Sequence, residues 1–489
     1  MAQNLEFDID LTERAKKSLL ERNFLIDFNS EEQNQVNKAS TLLIPGELTQ
    51  DARELLWCSI DNDDSKDLDQ LTYAEELSGG RYKISIAVAE VDHLVPKNSS
   101  IDLHARQNTV SIYTPTKVFP MLPERFSTDL TSLNEKVDRL ANVVEVEINQ
   151  DGSLSDYHIY TALVFNHAKL AYKSLSAWLD EKGAIPSGVA RVPGMEEQLR
   201  LQDKIAQLLK KYRHENGALT LETVETETII NNQQIVDMKA AVKNRARNLI
   251  EDFMIAANTS TARFLKSRGL PSFRRIVRNP KRWNRIVEIA QEKGESLPEE
   301  PDSKALDLFL TRQRLKDPER FPDLSLTVIK LLGNGEYIIE SEKDDPIGHF
   351  GLALKDYTHS TAPNRRYPDL ITQRIVNSAI KGTPSPYEWQ ELKRLAEHCT
   401  KREDEAEKVE RKIKKMAAIV ILSSKFDVTF DAIVTGASKK GTWVRIFQPP
   451  VEGKLVQGYQ NKDVGDHLKV KLVNLDIDNG FIDFVKVNE

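Results

Sequence analysis

The chain has 489 residues, enough for two or three domains, and its 40% hydrophobic and 29% charged residues describe an ordinary water-soluble globular protein. Its two cysteines, Cys58 and Cys399, exclude a disulfide framework and a cysteine-based zinc site, and they fit a reducing compartment. The net charge of −7 argues against a protein that holds nucleic acid through its overall charge.

Residues 1–47 form a polar lead-in with one expected helix, at 12–22, ending near Asn23. The first residues lack the basic and apolar regions of a signal peptide, and the longest uncharged apolar run near the C-terminus, residues 416–422, is too short to span a membrane. A cytoplasmic protein with no membrane contact is expected. Strand-like runs follow at 55–60, 82–88 and 141–148, the last alternating Val-Val-Glu-Val-Glu-Ile. The first of these leads straight into a loop that carries Asp61, Asp67 and Asp69. Carboxylates this close repel one another unless a cation lies between them, and hard divalent ions take oxygen ligands. The loop therefore suggests metal-assisted phosphodiester chemistry, although a solvated acidic turn uses the same residues.

Residues 109–132 are rich in Pro, Thr and Ser and are expected as loop. Helical periodicity dominates 193–290, with an apolar stripe at Leu249, Ile250, Phe253, Met254 and Ala257. Between Lys239 and Ile286, thirteen Lys/Arg stand against two acids, Glu251 and Asp252, with Phe273 and Trp283 interspersed. A basic block in an acidic chain suits a polyanion, because phosphate binding follows local potential; a solvated helix face is the other reading. A long helix is expected at 388–424, laced with opposite charges from Lys401 to Lys408.

After Ser424 the pattern changes to period two. Four short strands, at 426–434, 442–447, 468–473 and 481–485, are separated by turns containing Gly436, Gly441, Gly453 and Gly465. That is the pattern of a small all-β barrel, most economically an OB-fold. Lys439, Lys440, Trp443, Arg445 and Phe447 would place cations and rings on one hairpin, a mix that grips single-stranded nucleic acid, although the barrel could also simply pack on the main domain.

Four segments require one explanation. They are the Asp61/Asp67/Asp69 loop; Ser111-Ile-Tyr113 through Pro-Met-Leu-Pro123, followed by Ser132-Leu-Asn; Leu249-Ile-Glu-Asp-Phe-Met; and His349-Phe-Gly-Leu-Ala with Thr361-Ala-Pro-Asn-Arg365-Arg366-Tyr-Pro-Asp-Leu370. Together, over about residues 50–425, they resemble the ribonuclease II (RNB) family of 3′→5′ exoribonucleases. The resemblance implies an α+β RNB catalytic domain, mixed sheets surrounded by helices, at 48–424, and a C-terminal OB-fold RNA-binding domain at 425–489. Residues 1–47 would be a short N-terminal region without the paired cold-shock barrels common in the family.

The same resemblance implies roles. Asp61, Asp67 and Asp69 match three of four aspartates that hold Mg²⁺ or Mn²⁺, and Asp69 matches the position on which catalysis depends most. Arg365 matches the arginine at the scissile phosphate, with Arg366 beside it as a structural or phosphate-contacting group. Tyr113 matches the tyrosine that stacks on the 3′-terminal nucleotide. The implied activity is hydrolysis of single-stranded RNA from its 3′ end to nucleoside 5′-monophosphates by a monomeric protein.

The chain departs from the family pattern at several positions. Gln70 stands where a fourth aspartate is usual, and Ser360, Ala362, Asn364 and Gln373 replace residues typical of the arginine motif. A glutamine offers one neutral carbonyl oxygen and no charge. The alternative expectation is thus a catalytically weakened RNB-family protein that still binds RNA.

Overall fold

The computed structural model describes residues 10–39, 49–222, 225–231, 234–241, 244–318, 320–341, 343–426 and 428–487. Two helices open it, α1 (Leu11–Leu20) and α2 (Ser30–Lys38), where one was expected. The Asp10 carboxylate caps α1 by accepting from the backbone N–H groups of Thr12 and Glu13, and α1 gives way at Asn23, which takes a left-handed φ of 57°. Asn29 and Glu32 form a reciprocal capping box on α2.

A seven-stranded sheet forms the centre of the main unit. Its strands are β1 (Gln50–Asp51), β2 (Cys58–Asp61), β3 (Gln70–Leu77), β4 (Arg81–Ala89) and, after α3 (Ser100–Asn108) and a short hairpin of β5 (Ile112–Tyr113) and β6 (Val118–Phe119), β7 (Asp138–Ile148), β8 (Leu154–Phe165) and β9 (Ala168–Ala171). The strand order is β1-β8-β7-β4-β3-β2-β9, antiparallel inside and parallel at both edges. Trp57, Ile84, Ile86, Val143 and Val146 fill its core, the alternation at 141–148 having marked which residues turn inward.

Helices α4 (Tyr172–Leu179), α5 (Ser187–Ala190) and α6 (Met195–Glu215) come next, and here the expected run of helix is interrupted. An antiparallel hairpin, β10 (Glu225–Asn231) and β11 (Gln234–Ala241), separates α6 from α7 (Arg245–Ser267). Alternating Thr and paired Ile residues favour extended chain there, a signal lost between two strongly amphipathic helices. Strand β12 (Ser272–Ile276) also interrupts the helical run, ahead of α8 (Trp283–Glu292), α9 (Ser303–Lys316) and α10 (Phe321–Leu332), and pairs with β13 (Glu336–Glu340). Helices α11 (Tyr367–Lys381) and α12 (Trp389–Leu422) complete the unit; α12, at 34 residues, is about 50 Å long.

The C-terminal unit is a closed OB-like barrel of β14 (Thr429–Ser438), β15 (Gly441–Ile446), β16 (Val451–Gln457), β17 (His467–Asp476) and β18 (Phe481–Lys486), in the order β14-β15-β16-β18-β17. The sequence shows four of the five strands. It hides β16 because Gly453 at its centre resembles a turn residue. The glycine is needed for close approach: a Cβ there would lie 2.5 Å from the Phe484 ring and 2.6 Å from the Ile482 carbonyl oxygen.

Candidate active site

The sheet and its loops bring the aspartate loop and the arginine motif to one place. Asp61 ends β2 and Asp69 directly precedes β3, so the loop between them is held at both ends by the sheet. The loop is also pinned from outside. Ser132 Oγ accepts from the Leu68 N–H (2.9 Å) and donates to the Lys66 carbonyl (2.7 Å), while the Leu68 and Asp69 carbonyls accept from Leu133 and Ala89. The Ser-Leu-Asn motif is therefore the clamp on the aspartate loop.

Arg365 lies in the loop before α11, and its Nε donates to Asp69 Oδ2 at 2.8 Å. The carboxylate is almost wholly buried, whereas 40% of the Arg365 side chain is exposed. The other oxygen, Asp69 Oδ1, is buried with no hydrogen-bond partner. Burial pushes the Asp69 carboxyl up to about 6; Arg365 opposes this and Asp67 reinforces it. Burial likewise raises Asp61, against hydrogen bonds from the Asn62 N–H (2.7 Å) and the Ser65 hydroxyl (3.0 Å). For Arg365, burial works against its charge but the adjacent Asp69 outweighs it and the group is held protonated.

Tyr113 is carried on the β5–β6 hairpin, its hydroxyl donating to Asp67 Oδ2 at 3.2 Å and its ring open to solvent. The hairpin rests on an apolar cluster in which Leu11 and Leu19 of α1 meet Ile112, Phe119 and, from α12, Val409 and Ile413. Arg366 is engaged differently from its neighbour: its Nη2 donates to Asp369 Oδ1 (2.7 Å), which also accepts from the Ala362 N–H (2.9 Å). Arg366 thus ties the arginine loop to α11.

Of the positions that depart from the family pattern, Ser360, Ala362 and Asn364 lie in this loop, and Gln373 lies in α11. Ser360 donates through its N–H and hydroxyl to Asn258 Oδ1, and Asn364 Oδ1 accepts from the Thr131 hydroxyl. Gln373 accepts from the N–H groups of Val91 and Asp92 and donates to the Ala89 carbonyl. These replacements keep bonds to the surrounding fold, although Asn364 Nδ2, Arg366 Nε and Asp369 Oδ2 are buried without a hydrogen-bond partner.

Three further residues surround the site that sequence patterns did not single out for it. Glu410 of α12 accepts from the Tyr113 N–H at 2.8 Å. Burial raises the Tyr172 hydroxyl, with the Asp61 charge adding to the effect, and Arg247 lies 5.2 Å over the Tyr172 ring while donating to Asn62 Oδ1. No spacing signal links these positions to the aspartate loop, because they come from separate helices.

The donor set suits a hard divalent cation: three carboxylates on one loop, one of them with a buried, unpartnered oxygen. Among the described residues, however, no group of three or more His, Cys, Asp and Glu side chains is drawn together closely enough to form a ready metal cluster. Asp69 instead gives one oxygen to Arg365. His349 and His359 are held below the usual imidazole range by burial and serve as structural groups, packed edge-on against Tyr357.

Two expected RNA-binding features are corrected. Much of the basic block is occupied internally: Arg245 by Asp203 and Asp180, Arg274 by Glu340 and Asp356, Arg275 by Glu403, Arg278 by Glu336, and Arg282 and Arg285 by Asp463. Arg445 on the barrel hairpin is buried and paired with Asp323 of α10 at 3.2 Å, so it docks the barrel instead of facing a ligand.

Comparison with known proteins gives a consistent pattern. The RNB domain model matches residues 49–382, and the model of the RNase II-type exonuclease C-terminal S1 domain matches 428–487. Ribonuclease R 1 of Lactococcus lactis is 28% identical over 465 residues, covering 89% of this chain and 56% of the relative. Ribonuclease R of Vibrio cholerae is 30% identical over 471 residues, with the same two coverages. The chain thus spans little more than half the length of these curated relatives. Among solved structures, Mycoplasma genitalium RNase R in complex with ribose-methylated single-stranded RNA superposes with a TM-score of 0.86 at 23% identity, over 98% of this chain and 78% of the other.

Proposed function

The chain belongs to the RNB family, and from that premise and the geometry above we propose that it is a metal-dependent hydrolytic 3′→5′ exoribonuclease. It acts on single-stranded RNA and releases nucleoside 5′-monophosphates one at a time. The observation that supports this most directly is the ion pair that Arg365 makes with Asp69, on the loop that also carries Asp61 and Asp67. In this reading residues 48–424 are the catalytic unit and 425–489 an RNA-binding barrel, in a monomeric cytoplasmic protein. Among the described residues no helix is long and apolar enough to cross a membrane.

Each side chain has a task. Asp61, Asp67 and the free Oδ1 of Asp69 would hold Mg²⁺ or Mn²⁺, which when bound supplies Lewis-acid activation of water. Asp69 Oδ2 orients Arg365, whose planar, permanently charged guanidinium faces the negative charge that develops on the scissile phosphate. The Tyr113 ring stacks on a base near the 3′ end, and its hydroxyl, bonded to Asp67, fixes the ring's position relative to the metal loop. Arg366 acts through Asp369, holding the Arg365 loop in place.

A second reading rests on Gln70, which opens β3 beside Asp69 and supplies no charge: an RNA-binding protein whose catalytic centre is weakened. One experiment separates the two. A 5′-labelled single-stranded RNA is incubated with Mg²⁺ or Mn²⁺ and either the parent or Asp69→Asn. Progressive shortening from the 3′ end by the parent alone supports the hydrolase. RNA that stays intact yet is retained by both proteins in a gel shift supports the binding protein.

A further inference from the structure

We propose that Glu410 of α12 is the positioning residue of Tyr113: its carboxylate holds the main chain of that residue so that the ring stands where the 3′-terminal base stacks. The inference deepens the stacking role given to Tyr113 above and rests on it. Tyr113 is fixed at two polar points, its hydroxyl on Asp67 Oδ2 at 3.2 Å and its N–H on Glu410 Oε1 at 2.8 Å. The first is the longer bond, and it falls on a carboxylate that is itself a candidate metal ligand. The second is shorter, is made to the main chain and does not involve the aspartate loop.

The Tyr113 N–H needs a side-chain acceptor because backbone pairing stops one step before it. Val110 and Arg366 form an antiparallel bridge, with the Tyr367 N–H on the Thr109 carbonyl (2.8 Å) and the Ser111 N–H on the Arg365 carbonyl (2.9 Å). Continued in that register, Tyr113 would meet Pro363. The chain turns there instead, and the Arg365 and Arg366 N–H groups close back on the Ala362 carbonyl. Tyr113 is left on a hairpin with only two paired residues in each strand, too short to be rigid by itself. Glu410 takes the place of the missing carbonyl, and a carboxylate is a stronger acceptor.

Glu410 is placed to hold a fixed position. It is half-buried on the 34-residue α12, beside Val409, which packs with Ile413 against Ile112 and Phe119 of the hairpin. Burial raises its carboxyl, while the Tyr113 N–H and Lys414 favour its charge. The tip of the hairpin is held separately, by the Thr12 hydroxyl of α1 donating to that of Thr116 at 2.9 Å. Removing Glu410 therefore loosens the main chain under the ring and leaves the hairpin folded.

The test is a double-mutant cycle in the Asp69→Asn protein, so that RNA survives the measurement. The ligand is a short single-stranded oligoribonucleotide ending in 2-aminopurine, whose fluorescence reports stacking at the 3′ end while its titration gives affinity. Glu410→Ala is expected to weaken binding about fivefold and to reduce the fluorescence change, as loss of one hydrogen bond to a charged group allows. Tyr113→Ala is expected to do more, and Glu410→Ala added to it to change affinity by less than about twofold, because the carboxylate acts through the ring. Glu410→Gln keeps an acceptor of the same reach and is expected to restore both signals. Glu397→Ala, an exposed carboxylate earlier on α12, controls for lost helix charge. An unchanged thermal midpoint verifies the fold; Glu410→Met, which fills the space without an acceptor, replaces Glu410→Ala if that midpoint falls.

Unchanged affinity and fluorescence in Glu410→Ala overturn the proposal, as does an equal loss with and without the Tyr113 ring, or a Glu410→Gln loss as large as that of Glu410→Ala. If Tyr113→Ala itself changes nothing, the stacking role and the proposal fall together. If the native protein does not shorten RNA but the coupling is present, the hydrolytic reading alone fails and the role of Glu410 stands.

Discussion

Arg365 and Asp69, separated by 296 positions in the chain, meet with Nε 2.8 Å from Oδ2, and the remaining Asp69 oxygen is left buried and without a partner. One carboxylate therefore serves two purposes: it aims a cation and keeps one oxygen for a ligand. The chemistry proposed above depends on this division.

Arg365→Lys tests whether the cation's shape matters. Lysine keeps the charge but loses the planar fork that meets Asp69 and phosphate together. The rate at saturating RNA is expected to fall by about a hundredfold to a thousandfold, in line with the loss of one transition-state contact, while RNA affinity changes little. A single-turnover assay beside a gel shift measures both; a loss confined to affinity would contradict the role.

Tyr113 has a ring and a hydroxyl with separable tasks. Tyr113→Phe keeps stacking and removes the donor to Asp67, so affinity should hold while the metal dependence of the rate changes. Tyr113→Ala removes the ring and should weaken binding of the RNA 3′ end by about 1–3 kcal/mol. Fluorescence of a 3′-terminal 2-aminopurine reports the ring directly.

Gln70→Asp supplies the carboxylate that the family pattern places next to Asp69. Added charge should lower the Mg²⁺ concentration that gives half the maximal rate, with the rate at saturating Mg²⁺ equal or higher. A metal titration of both proteins at fixed RNA checks this. An unchanged midpoint would mean that position 70 does not reach the ion.

Glu90 provides a pH test away from RNA. Its carboxyl is pushed up to about 7 by burial and by Asp92, against hydrogen bonds from Asn377 and the His93 N–H. A folded value above the unfolded one means that the native state binds this proton more tightly, so its stabilising effect is complete below about pH 4.5. That stability is lost as pH rises to about 7 and is flat beyond, an effect of at most about 3 kcal/mol. Glu90→Gln is expected to shrink the difference in thermal midpoint between pH 5 and pH 8. An identical pH profile in both proteins would show that Glu90 is not the group responsible.

The fold was legible wherever burial imposed a clear period. The alternation at 141–148 and the opposite charges of α12 mark β7 and α12 closely, and the barrel strands follow from period two. The β10–β11 hairpin was hidden because its neighbours are long amphipathic helices, and β16 because a glycine required by Phe484 resembles a turn. In the candidate site, Asp61, Asp67, Asp69, Arg365 and Tyr113 were legible from residue type and motif, and the structure brings them around one loop. Glu410 and Tyr172 were not, since a helix face carries no mark of the distant loop it will meet. The basic block was misleading for the same reason: Arg275 finds Glu403, and Arg282 finds Asp463, far along the chain.

The pairing of Arg282 and Arg285 with Asp463, together with Arg285 with Asp466, has a practical consequence for measurement. These pairs hold the barrel loop against α8 and lie partly in solvent, where added salt screens them just as it screens protein–phosphate contacts. A salt titration of RNA binding will therefore register a loosening of the protein itself along with the release of counterions. The absolute slope overstates the number of phosphates touched, and only differences between variants that share this seam count contacts correctly.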